Sequence, residues 1–201
     1  MIAIIDYGVG NLFSVKNACD YVNVDYMITS NREEIQKAGG IILPGVGAFP
    51  DAMKQLKEKG LDVVLKEEAK RKPLLGICLG MQMLFEQSSE YGDTQGLGLL
   101  EGTVNPIKAE GLKIPHMGWN SLTITRECAL TKGIKNGDYV YFVHSFCANA
   151  NEDDRSCETE YGQTIAALVQ KGFVYGAQFH PEKSGEVGLT MLKNFVRLVK
   201  V

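Results

Sequence analysis

The chain has 201 residues, 45% hydrophobic and 22% charged, with 21 basic and 24 acidic side chains and a net charge of −3. These proportions exclude a disordered or fibrous chain, and the lack of surplus positive charge argues against a nucleic-acid binder. No apolar run approaches the roughly 20 residues of a membrane-spanning helix, and the length suits one domain.

In chain order, Met1–Asp6 reads as a strand and argues against a secretory signal, because it has no basic start and meets an acid after four apolar residues. Helical spacing of Leu12, Val15, Ala18, Cys19 and Val22 follows. Residues 24–29 predict a second strand, and Ser30 with Glu33 a capping box opening a short helix. Residues 40–43 predict a third strand, ended by Pro44-Gly45-Val46-Gly47. Residues 51–72 predict helix interrupted near Gly60, residues 74–77 a fourth strand, and residues 80–87 a helix. Continuous apolar strands alternating with helices imply a mostly parallel sheet covered on both faces. From Gly96 the texture is β-rich: residues 104–107, 121–125, 139–146, 157–161, 165–170 and 173–179 predict strands, and residues 187–199 a closing helix. The expected fold class is α/β with a β-rich C-terminal half. No repeat or linker divides the chain, so one domain over residues 1–201 is expected.

The five cysteines, Cys19, Cys78, Cys128, Cys147 and Cys157, are odd in number and scattered, without C-x-x-C spacing. That pattern predicts a reduced, cytoplasmic protein. Cys78 stands apart. In Gly76-Ile77-Cys78-Leu79-Gly80 a strand meets a helix in the G-x-nucleophile-x-G pattern, with Cys for Ser. The turn exposes the side chain at a helix N-terminus, which favours a thiolate, and aims the Leu79 N–H at a reacting carbonyl. A base is needed, and the sequence has three histidines. His180 precedes Pro181 and is therefore extended, so His180 and Glu182 project from one side. A Cys78–His180–Glu182 triad for acyl transfer results. His116 and His144 read as structural or partly buried. Three dispersed histidines without clustered acids give no metal site, and no cofactor is expected. Gly8-Val9-Gly10 lacks the third glycine of a dinucleotide fingerprint, since Phe13 stands there. The Pro44–Gly47 loop has no P-loop lysine, but it ends a parallel strand, where ligand sites gather, and its N–H groups suit an oxyanion hole.

These motifs resemble the triad (class I) glutamine amidotransferases: Gly-Ile-Cys-Leu-Gly-Met-Gln around Cys78 and His180-Pro181-Glu182. Asp6-Tyr7-Gly8-Val9-Gly10-Asn11-Leu12, the Pro44–Phe49 loop, Pro115-His116-Met117-Gly118-Trp119-Asn120 and Tyr141-Phe142-Val143-His144-Ser145 are similar to one branch, the glutaminase subunits of imidazole glycerol phosphate synthases. The resemblance implies a flavodoxin-like sheet and hydrolysis of the glutamine side-chain amide. Cys78 would be nucleophile, His180 the acid and base, and Glu182 its orienter. By the same resemblance Gln82 and Glu90 hold the amino-acid end of glutamine, and the backbone of Gly47, Ser145 and Phe146 lines the pocket. Gly45, Val46 and Gly47 border an oxyanion N–H. Ammonia would pass to a separate (β/α)8-barrel cyclase, which makes imidazole glycerol phosphate and an aminoimidazole carboxamide ribonucleotide. Asn11, Trp119, Tyr141 and Lys183 match positions facing that partner. Three other readings compete: a stand-alone cysteine hydrolase, a non-catalytic subunit on the same fold, and a glutaminase serving another synthase.

Overall fold

The computed structural model describes residues 1–199. The elements in order are β1 (Ile2–Ile5), α1 (Leu12–Tyr21), β2 (Tyr26–Thr29), α2 (Arg32–Lys37), β3 (Gly40–Leu43), α3 (Phe49–Glu58), α4 (Leu61–Glu68), β4 (Leu74–Ile77) and α5 (Leu79–Gln82). There follow β5 (Gln87–Ser88), β6 (Thr94–Gln95), β7 (Gly102–Pro106), β8 (His116–Ser121), β9 (Thr123–Ile124), β10 (Tyr139–His144), β11 (Phe146–Ala150), β12 (Arg155–Glu160), β13 (Thr164–Lys171), β14 (Val174–Ala177) and α6 (Gly185–Leu198). A 3-10 turn at Pro181–Lys183 links β14 to α6.

The main sheet has eight strands in the order β2-β1-β3-β4-β14-β13-β12-β9. The first five run parallel, and β14 to β9 continue antiparallel. Every residue of β1, β3, β4 and β14 is buried, as strands covered on both faces require. Alternation along β1 sends Ala3 and Ile5 to one core and Ile2 and Ile4 to the other. The first core is closed by Phe49, Leu56 and Leu65 of α3 and α4, the second by Val15 of α1 and Met191 and Phe195 of α6. Two small sheets complete the β-rich half: β8 with β10, and β11-β7-β5-β6. No helix among the described residues is long and apolar enough to cross a membrane.

Some boundaries differ from the sequence reading, each for a local reason. The cap of α2 is Asn31, not Ser30: its side chain accepts from Glu33 and Glu34 N–H groups at 2.8 and 3.2 Å. The helix expected to Gln87 stops at Gln82, because the returning segment takes over its carbonyls. Leu97 N donates to Met83 O at 2.8 Å, Leu99 N to Leu84 O at 2.8 Å, and Gly96 N to Glu86 O at 2.8 Å. The strand expected over 139–146 is two strands split at Ser145, which leave for different sheets. The strand β8 was expected only at its last residue, Ser121, as the start of a strand over 121–125 whose remainder holds β9. Strand β8 carries alternating buried and more exposed residues, but its Gly118 and the preceding Pro115 mask the period.

Candidate active site

Cys78 sits between β4 and α5 with φ 54° and ψ −113°, a strained conformation for a residue with a Cβ. Its flanking glycines are sterically required. A Cβ on Gly80 would lie 1.9 Å from the Leu43 carbonyl oxygen, and one on Gly76 would lie 2.7 Å from backbone atoms of Gly80 and Met81. The elbow thus forms only where three chain segments meet without side chains. Leu79 opens α5, so its N–H has no intrahelical acceptor.

The elbow faces a cavity of about 330 Å³. Cys78, His180, Val46, Gly47 and Leu79 line it, as do Gln82, Glu90, Ser145 and Phe146. Glu182 stands behind His180, its Oε1 2.7 Å from Nδ1, with both side chains buried. That contact fixes Nδ1 as donor and turns Nε2 toward the pocket. The His180 backbone is clamped as well: its N–H donates to Tyr141 O at 2.9 Å, and its carbonyl accepts from the Ser184 hydroxyl at 2.6 Å. Burial works to lower the His180 pKa, but hydrogen bonding to Cys78 and Glu182 outweighs it and raises the pKa to about 9. Three of the other thiols are inert by burial: Cys19 and Cys157 are pushed up to about 12, and Cys147 to about 11.

Two expected pocket residues are held by contacts the sequence did not reveal. Glu90 Oε2 accepts from the Phe49 N–H at 2.7 Å, capping α3 at the end of the Pro44–Gly47 loop. Gln82 Nε2 donates to Phe146 O and to Gln178 Oε1, both at 2.9 Å. With two donors, from Gln82 and His144, the Phe146 carbonyl is filled, so this oxygen is not available to a ligand. Gln178 is the residue the sequence reading missed. It is fully buried, and its Nε2 donates to Cys78 Sγ at 3.8 Å. Its signal was a glutamine two positions before His180, hence on the same side of an extended chain.

The loop also has an anchor. The buried Tyr7 hydroxyl donates to Pro44 O at 2.8 Å, and burial raises its pKa. Asn11, Pro44, Gly45, Val46, His180 and Glu182 border a second, narrow cleft. Trp119 and Tyr141 pair across β8 and β10 edge to face, with ring centroids 6.1 Å apart and Trp119 half exposed. Lys183 lies exposed in the turn after His180.

An elbow cysteine facing a histidine–glutamate pair in one cavity is an arrangement for acyl transfer. The chain matches the family model "Glutamine amidotransferase class-I" over residues 3–199, and it belongs to that family. It is 53% identical over 201 residues to the imidazole glycerol phosphate synthase subunit HisH of Bacillus cereus (strain B4264), covering 100% of this chain and 96% of that protein. It is 54% identical over 202 residues to the subunit of the same name from Caldanaerobacter subterraneus subsp. tengcongensis, covering 100% and 99%. Among solved structures, "Crystal structure of glutamine amidotransferase" superposes with a TM-score of 0.79 at 18% identity, covering all of both chains. PurLQS from Thermotoga maritima gives 0.72 at 20% identity, covering 99% of this chain and 98% of that one. At those identities the two structures speak for the fold.

Proposed function

We propose that the chain is a single-domain glutaminase that supplies ammonia to a cyclase in the synthesis of imidazole glycerol phosphate. Cys78 Sγ, its proton taken by His180, attacks the side-chain carbonyl carbon of glutamine. The oxygen of the tetrahedral intermediate is received by the Leu79 N–H and by an N–H of the Val46–Gly47 segment. His180, held by Glu182, gives its proton to the departing nitrogen, releasing ammonia and leaving a glutamyl thioester. His180 then takes a proton from water, which attacks the thioester carbonyl, and glutamate leaves as the thiol is restored. Gln82 and Glu90 hold the amino-acid end of the substrate.

The observation that carries this reading is the meeting of the strained Cys78 elbow with the His180–Glu182 pair at 2.7 Å in one cavity. The likeness to HisH subunits supports the substrate and the pathway; a (β/α)8-barrel partner, as the sequence motifs imply, would add the ammonia to a phosphoribulosyl formimino-aminoimidazole carboxamide nucleotide and split it into imidazole glycerol phosphate and an aminoimidazole carboxamide ribonucleotide. Asn11, Trp119, Tyr141 and Lys183 would face that partner; a tryptophan–tyrosine pair is a common interface anchor. The test is glutamate release from glutamine with and without the cyclase and its nucleotide. Turnover that needs the partner supports the proposal. Equal turnover of the isolated chain on other amides or peptides points to the stand-alone hydrolase instead.

A further inference from the structure

His116 and His144 take no step in this chemistry, yet both are buried and paired across β8 and β10. His144 Nδ1 lies 2.8 Å from Phe146 O. His144 Nε2 and His116 Nδ1 are 3.0 Å apart, and His116 Nε2 is 3.0 Å from Asn120 Oδ1. The orientation of the Asn120 amide is set at its other end, where Nδ2 donates to Glu160 O at 3.0 Å.

Counting protons along this chain gives a definite result. The Phe146 carbonyl cannot donate, so His144 Nδ1 carries a hydrogen. Asn120 Oδ1 cannot donate, so His116 Nε2 carries one too. Those two protons complete two neutral imidazoles. The nitrogens facing each other at 3.0 Å would then be two lone pairs. A third proton converts that contact into an N–H···N hydrogen bond and leaves one positive charge on the pair. An independent feature fits a cation here. The His116 ring is stacked between Tyr161, at 3.9 Å and 16°, and Phe142, at 4.8 Å and 19°, and aromatic faces attract positive charge. The opposing force is desolvation: burial lowers both imidazoles, His144 to about 4, with His180 adding repulsion from across the pocket. Besides His180, the titratable groups around the pair are the Tyr161 phenol stacked on His116 and, across the cavity that His144 lines, Cys78 and Glu90. No carboxylate is hydrogen bonded to either ring among the described residues.

We propose that His116 and His144 share one proton and act as positioning residues for glutamine, fixing the Phe146 carbonyl and, through it, the side-chain amide of Gln82. The proposal rests on the reading of Gln82 as a glutamine-binding residue. Phe146 O accepts from both His144 Nδ1 and Gln82 Nε2, and the second Gln82 N–H is taken by Gln178. The amide is thereby oriented from both sides. Loss of the shared proton sets two lone pairs against each other, displaces His144, and loosens the carbonyl that holds Gln82.

The test is NMR of the full chain labelled with 15N-histidine, titrated alongside glutamine kinetics of the complex with the cyclase. At the acid end the four ring nitrogens of the pair are expected to hold three protons, and one of them is expected to be lost by the pair as a unit as pH rises. Two neutral rings throughout the folded range overturn the proposal. Asn120→Asp places a carboxylate against His116 Nε2 and is expected to raise the midpoint of that titration by about 1–3 pH units, carrying the low-KM range up with it. A midpoint that stays put overturns the shared proton, and a low-KM range that does not follow the shifted midpoint overturns the positioning role, because a purely structural pair would not couple its titration to KM. His144→Leu is expected to raise the KM for glutamine about tenfold with kcat within about twofold; a fall in kcat at unchanged KM overturns the positioning role. Failure of the parent reading is separately visible, as a Cys78→Ala protein that still hydrolyses glutamine.

Discussion

Gly45 and Gly47 flank Val46 in the loop beside Cys78, and substituting each by alanine is expected to have opposite effects. Gly47 has φ +93°, and nothing lies within 4 Å of a Cβ built there. Alanine at this position therefore meets backbone strain alone, about 1–3 kcal/mol. Half a turn of the Val46–Gly47 peptide plane takes φ to about −90°, which any L-residue adopts. The strain thus favours the rotated loop by roughly 5- to 150-fold. If rotation is what presents an N–H to the oxyanion, Gly47→Ala is expected to raise glutaminase activity by that factor without nucleotide on the cyclase, and to shrink the ratio of rates with and without it. Gly45 is different. A Cβ there would lie 2.6 Å from Gly80 N and 3.0 Å from Leu79 C, backbone atoms of the elbow that cannot yield. Gly45→Ala is expected to lower both melting temperature and activity. The assay is glutamate release by the reconstituted complex, with thermal denaturation as control. A Gly47→Ala protein of normal stability with an unchanged or lower basal rate would refute the gating argument and leave the triad standing.

Cys78→Ala is expected to abolish glutamine-driven turnover while leaving cyclase activity with added ammonium intact; loss of both in a folded complex would contradict a division of labour. His180→Asn is expected to be nearly as damaging as loss of Cys78, since the two act as a unit, and Glu182→Gln less so. The His180 pKa rises from 6.5 to about 9 in the folded chain, so its stabilising contribution is full below pH about 6.5 and lost as pH rises through about 9; the melting-temperature gap between wild type and His180→Asn should close over that window. Lys72 Nζ donates to the carbonyls of Ile35, Gln36 and Ala38 at 3.0, 2.8 and 2.6 Å and pairs with buried Glu68 at 2.8 Å. Arg71 stays bonded to Glu68, so Lys72→Met removes one of two cationic partners and leaves three carbonyls without their donor; it is expected to cost about 1–3 kcal/mol in denaturant unfolding, with glutaminase kinetics unchanged where the protein is folded.

The sequence declared the parallel half of the fold because its strands are buried on both faces and read as unbroken apolar runs, as Ile2–Ile5 and Gly40–Leu43 do. It declared Cys78 because an elbow needs glycines at fixed offsets. It did not declare where α5 ends, since the carbonyls that follow it accept from N–H donors at 96–100, farther along the chain. The cap on α3 was invisible for the same reason: Glu90 lies 41 residues from the amide it caps. Gln178 was in view but had no role, because a buried glutamine is defined by its partners, and Gln82 and Cys78 are 96 and 100 positions away. His116 and His144 were correctly seen as candidates for burial, but their 3.0 Å contact depends on the β8–β10 register.

The register between β4 and β14 is what turns these pieces into a site. The strands run parallel with Gly76 opposite Gly176 and Ile77 opposite Ala177, and Cys78 N then donates to Ala177 O at 2.7 Å. The next residue on β14's side is Gln178, which meets Cys78 Sγ, and His180 lies two positions further along the same extended path. A slip of one residue would send every side chain of the incoming segment to the opposite face, exchanging Gln178 and His180 for Phe179. That residue is wholly buried in the second core, edge to face with Phe142 at 5.9 Å. Moving it into the cavity would expose an aromatic ring and bury the imidazole among apolar groups, so the packing of Phe179 and the placing of His180 enforce the same register. Core formation on one side of the sheet and assembly of the site at its carboxyl edge are therefore a single event. Docking of β14 against β4 would thus bring Gln178, His180 and Glu182 to the Cys78 elbow together.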